Sequence, residues 1–146
     1  VMSEAANGGK KYRPYLVKDI IALDGTVIKH FDPVVERDLN IDPSVISLVQ
    51  EGLHEVSTVG TAAAMFKDFP VPIAGKTGTA ENSHGRDHGW FVAYGPFDNP
   101  NIAVAVIVEN AGYGATSAVP IGYKILSAAF GLDKPKTPEN QPAPAQ

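Results

Sequence analysis

Ala74-Gly75-Lys76-Thr77-Gly78-Thr79-Ala80-Glu81 sets a lysine, two threonine hydroxyls and two glycines into a stretch that reads as a β-strand. Glycine inside a strand costs about 0.5–1 kcal/mol relative to alanine, and close approach by another backbone or a ligand is a common reason for it. Side chains two apart share a face, so Thr77 and Thr79 present their hydroxyls together, next to the cation of Lys76. Such a surface suits a carboxylate. An open strand edge can also hold an extended peptide by main-chain hydrogen bonds, with the Thr79 N–H facing a developing oxyanion. Two other readings compete on these letters alone. A phosphate-binding loop requires a glycine five positions before Gly75, where Pro70 stands, and a helix directly after. A polar strand with a glycine bulge remains open.

Downstream, residues 89–94 and 102–110 are two further strand candidates, and with 73–80 they form a meander. The connection 81–88 is long and polar, and 95–100 is dense in turn formers. The run 103–108 is apolar without alternation, which predicts a central strand covered on both faces by helices. Trp90 and Phe91 are expected in the core, one on each face. A helix over 115–130 places Val119, Tyr123, Leu126 and Phe130 on one side. Upstream, Asp42 and Pro43 supply the cap and first-turn proline of a helix Pro43–Thr58, with Val45, Val49, Leu53 and Val56 facing inward, Ile46 and Leu48 alongside, and Gln50, Glu51 and Glu55 facing water. Asp24-Gly25 joins strands 15–23 and 26–31 in a hairpin, and 32–40 reads as a connection. Residues 1–6 read as the last turns of a helix ending at Asn7-Gly8-Gly9, which suggests a fragment. The fold class is therefore α/β (α+β), an antiparallel sheet covered by helices.

Composition narrows the functional classes. Twelve Lys and Arg against 16 Asp and Glu, for a net charge of −4, give no broad cationic field for nucleic acid. With no cysteine there is no disulfide, thiolate metal site or cysteine nucleophile. The longest apolar run falls far short of the roughly 20 residues of a membrane helix. His54, alone on its helix, reads as structural. His84 and His88, flanking Arg86 and Asp87, read as part of a loop beside a cleft mouth in preference to a metal site. No metal and no cofactor are expected.

Lys76-Thr77-Gly78 matches the third motif of penicillin-binding proteins and class A β-lactamases. Around it stand Ala6-Asn7-Gly8-Gly9, Arg13-Pro14-Tyr15-Leu16-Val17, Gly60-Thr61-Ala62, His88-Gly89-Trp90-Phe91-Val92-Ala93-Tyr94 and Val108-Glu109-Asn110. The whole order resembles a penicillin-binding transpeptidase, and within that family the class B, elongation-type penicillin-binding protein 2 group. The resemblance runs to Gly131 and implies the β-lactamase/transpeptidase-like fold. Residues 1–131 then form a carboxy-terminal part of that domain, and 132–146 form a Pro-rich disordered tail. No serine is followed by lysine at the third position, and no serine or tyrosine by asparagine at the second. The first two motifs are absent and are expected upstream.

The resemblance further implies a parent enzyme that joins peptidoglycan stem peptides ending in D-Ala-D-Ala through an acyl-serine, with β-lactams as mimics of the peptide. Lys76 would be the catalytic cation, and Thr77 and Thr79 would bind the substrate carboxylate. Gly78 would keep the strand surface open. The parent would act outside the cytoplasmic membrane, tethered by a segment not seen here. Its rivals are a D,D-carboxypeptidase or β-lactamase of the same fold, and a non-catalytic peptide-binding module. Half a domain is expected to expose apolar surface where the other half docks.

Overall fold

A computed structural model describes residues 1–133. The expected opening helix is present as α1 (Met2–Ala6), and Gly8 and Gly9 leave it with φ of 79° and 95°. Asp42 caps α2 (Pro43–Thr58), accepting the Ser44 N–H at 2.8 Å. Hydrogen bonds from the Ser44 hydroxyl and N–H hold the Asp42 carboxyl below its ordinary value. Short helices α3 (Ala63–Phe66) and α4 (Gly114–Ser117) precede α5 (Val119–Ala129).

The meander forms as β5 (Ala74–Ala80), β6 (His88–Gly95) and β7 (Ile102–Val108), antiparallel throughout and ordered β5-β6-β7. Two small sheets accompany it: β1 (Lys10–Tyr12) with β4 (Val35–Asp38), and β2 (Asp19–Ile21) with β3 (Val27–His30). The Asp24-Gly25 turn closes the second pair, with Gly25 at φ 88° and the Asp24 carboxylate accepting the Thr26 N–H at 2.9 Å. Its strands are shorter than expected, and a bulge breaks their register between Ile20 and Ile21.

Several expectations need correction. Among the described residues β6, and not β7, is the central strand. The unbroken apolar run of β7 disguises an alternation in which Ala103, Ala105 and Ile107 face outward, exposed, while Val106 is buried. Apolar side chains therefore lie on an exposed face, part of which borders Val1, Met2 and Ser3. Trp90 is 36% exposed, whereas Phe91 is fully buried. The connection 32–40 contains β4, which the polar letters Glu36-Arg37-Asp38 concealed. It is held to β1 partly by a 2.7 Å Lys11–Glu36 ion pair. Their hydrogen bond and mutual attraction raise the Lys11 pKa and lower that of Glu36.

The inward stripe of α2 is also displaced. Of the expected residues Leu53 and Val56 are half-buried and Ile46 is buried, whereas Val45, Val49 and Leu48 are exposed, and Ser57, Gln50 and His54 turn inward in their place. Polar side chains can turn inward here because main-chain carbonyls receive them. Gln50 Nε2 donates to Ala5 O at 2.7 Å, Ser57 Oγ to Ile73 O at 2.9 Å, and His54 Nδ1 lies 2.6 Å from the same Ile73 oxygen. The helix expected over 115–130 is divided at Ala118, because Pro120 at the start of α5 has no N–H to continue the ladder from α4. The tail expected over 132–146 lies, beyond Asp133, outside the described residues.

The core lies between β6 and α5, with α3 closing one end. Phe66 is its hub, with ring centroids 5.2 Å from Phe69, 5.6 Å from Phe91 and 5.3 Å from Tyr123. Val119, Tyr123, Leu126 and Phe130 all join this cluster, as the helical spacing predicts. A Cβ at Gly122 would run into the Phe91 ring, which lets α5 lie directly on the sheet. Gly122→Ala is therefore expected to lower stability by about 1–3 kcal/mol, read from the urea midpoint of the purified protein.

Candidate active site

Strand β5 pairs with β6 along its whole length, from Ala74 opposite Tyr94 to Ala80 opposite His88, and its other edge is unpaired among the described residues. Thr77 and Thr79 stand opposite Phe91 and Gly89, while Lys76 and Gly78 stand opposite Val92 and Trp90. The alternation therefore sends the threonines and the lysine to different faces, yet all line one open cleft. Its volume is about 360 Å³, and Thr61, Tyr113, Gly114 and Ala115 complete its wall. Lys76 and Thr79 are exposed, and Thr77 and Gly78 are half-buried.

Lys76 Nζ donates to the Thr77 carbonyl at 2.8 Å and has no acidic partner among the described residues. Its charge is thus available to a ligand. The Thr77 hydroxyl lies 2.7 Å from that of Thr61. The two glycines answer different needs. A Cβ at Gly75 would come within 2.8 Å of the Val92 carbonyl, so glycine there permits strand pairing. At Gly78 a Cβ would meet only the Trp90 side chain, at 3.2 Å.

The far wall is set by a clasp between two loops. Asn82 Nδ2 donates to Asn110 Oδ1 at 2.7 Å, the Gly112 N–H to Asp87 O at 2.8 Å, and the Asn110 N–H to His88 Nδ1 at 2.9 Å. Beyond it Gly114 sits against the sheet so closely that a Cβ would collide with the carbonyl oxygens of Trp90 and Gly78. This approach leaves Tyr113, 73% exposed, at the cleft mouth. His84 lies apart from His88, its Nδ1 2.9 Å from Ser83 Oγ. Among the described residues, no group of three or more His, Asp or Glu could hold a metal ion.

Sequence reasoning placed Lys76, Thr77, Gly78 and Thr79 on one strand, and the structure brings all four to the cleft. It gave no role to Thr61 or Tyr113. Gly60-Thr61-Ala62 carried part of the resemblance but nothing chemical, and nothing in the letters around Tyr113 points to a cleft.

A family profile described as the penicillin binding protein transpeptidase domain matches residues 1–127. The chain belongs to this family. Among curated relatives, the peptidoglycan D,D-transpeptidase MrdA of Haemophilus influenzae is 36% identical over 140 residues, 82% of this chain and 21% of the relative. Penicillin-binding protein 2A of Bacillus subtilis is 33% identical over 152 residues, 90% of this chain and 21% of the relative. Among solved structures, penicillin-binding protein A of M. tuberculosis, in an imipenem acyl-enzyme complex, superposes with a TM-score of 0.75 at 34% identity. That match covers 88% of this chain and 29% of that one. The fold is that of the β-lactamase/transpeptidase group, in a mixed α/β arrangement. The chain spans only about a fifth of the length of these two curated relatives. Among the described residues, no helix is long and apolar enough to cross a membrane.

Proposed function

We propose that this chain is the carboxy-terminal part of a peptidoglycan D,D-transpeptidase and supplies the strand that binds the stem-peptide carboxylate. The observation that carries this reading is the convergence of Lys76, Thr77 and Thr79 on one open cleft beside an unpaired strand edge. The exposed cation attracts the carboxylate, and the two hydroxyls donate to it. The peptide lies along the free edge of β5, and the Thr79 N–H faces the oxyanion. A serine from an upstream portion attacks the penultimate D-Ala carbonyl and releases the terminal D-Ala. An amine of a neighbouring strand then takes the acyl group and frees the serine.

β-Lactams occupy the same cleft, a reading supported by the acyl-enzyme complexes of the M. tuberculosis relative. The outward apolar face of β7 supports an upstream portion of the same domain packed against it. The active site lies outside the cytoplasmic membrane, with any anchor upstream. Since donors act only on an intermediate that the serine creates, the isolated chain is expected to give no covalent band with a fluorescent penicillin. The full-length protein is expected to give one, and labelling of the isolated chain would refute the assignment of the nucleophile upstream.

A further inference from the structure

We infer that Thr61 is a positioning residue for carboxylate recognition, acting through the hydroxyl of Thr77; the inference rests on the carboxylate-binding reading above. The two oxygens lie 2.7 Å apart, and either can donate. A hydroxyl has one proton to give and two lone pairs to receive. A carboxylate in the cleft only accepts, so it claims the Thr77 proton. The Thr61 proton then turns onto the Thr77 oxygen, giving a chain from Thr61 through Thr77 to the ligand. Each bond in such a chain polarises the next, and the one ending on the anion is charge-assisted.

The placement of Thr61 is fixed although its side chain is exposed. The Gly60 N–H donates to Glu55 O at 2.8 Å and the Ala62 N–H to Val56 O at 3.0 Å, on either side of Thr61. Ala62 is buried to 1% exposure, and a Cβ at Gly60 would come within 2.8 Å of Val56 Cα. Thr61 therefore projects from a tightly wound turn after α2. Among the described residues it is the side-chain partner of the Thr77 hydroxyl.

The test is the second-order rate of acylation of the full-length protein by benzylpenicillin and by its methyl ester, which lacks the carboxylate charge. Thr61→Val removes the hydroxyl at nearly constant shape and is expected to slow reaction with the acid about tenfold. The slowing of the ester should be much smaller. Thr61→Ser, which restores the hydroxyl, is expected within about twofold of the parent on the same grounds. Added to Thr77→Val, Thr61→Val should slow the reaction no further, because the chain is already cut. Equal slowing of acid and ester, multiplying losses in the double variant, or a Thr61→Val rate within about twofold of the parent would each overturn the inference. If Thr77→Val and Lys76→Ala also leave the rate unchanged, the carboxylate-binding reading itself falls. If those two slow the reaction and Thr61→Val does not, only the role of Thr61 falls.

Discussion

Lys76→Ala in the full-length protein is expected to lower the rate of acylation by benzylpenicillin by about 100-fold or more, with the thermal midpoint nearly unchanged. The size follows from what the side chain does. Removing one preorganised group aimed at developing or bound charge in an active site typically costs about 10²–10³ in rate. The ammonium of Lys76 has no acidic partner among the described residues, and its one hydrogen bond is to its neighbour's carbonyl. Stability should barely respond, because an exposed residue with no ion pair gives up little on truncation. Lys76→Arg separates charge from shape: the guanidinium keeps the cation but replaces a compact point charge by a planar fork, so partial recovery is expected. A Lys76→Ala protein that acylates at the parental rate would remove the cation from the mechanism.

Gly114→Ala is expected to be more damaging to the fold than Gly122→Ala. At Gly122 the new methyl meets the edge of an aromatic ring, which can tilt. At Gly114 it meets the carbonyl oxygens of Gly78 and Trp90, which belong to two paired strands and cannot rotate away. Overpacking usually costs about 1–3 kcal/mol, and backbone contacts place this substitution at or above the top of that range. Relief of the clash moves α4 off the sheet or shifts Gly78, and either change opens the cleft wall. Urea denaturation of the full-length variant should give a loss of about 3 kcal/mol or more, and acylation should fall with it. Parental stability would mean that α4 yields at no cost.

What the sequence disclosed, and what it hid, follows from how local each signal is. The Asp42-Pro43 start of α2, the Asp24-Gly25 turn and the three meander strands are written within a few consecutive residues, and all are found. Strand β4 was hidden because four exposed residues with a charged majority carry no burial pattern, so only pairing with β1 reveals them. The inward face of α2 was misplaced because Gln50 and Ser57 look solvent-directed until the carbonyls of Ala5 and Ile73 arrive from distant segments. Trp90 stays partly exposed although Tyr94, on the same face of β6, is fully buried, because how far along a strand the cover extends is not written in the strand's own letters. The site divides in the same way. Lys76, Thr77, Gly78 and Thr79 are adjacent letters, whereas Thr61 and Tyr113 reach the cleft only through packing of the turn after α2 and of α4.

The sequential β5-β6-β7 order bears on how the cleft comes into being. Each strand pairs with its immediate successor across a local connection, 81–87 and then 96–101, and the entropy lost in closing a loop grows only slowly with its length. Contacts this close along the chain form early when a protein of mixed architecture folds. The amides of residues 74–80 should therefore gain protection from solvent exchange together with those of 88–95, as one cooperative unit. A cradle assembled in this way is ready before the more distant parts that complete it arrive.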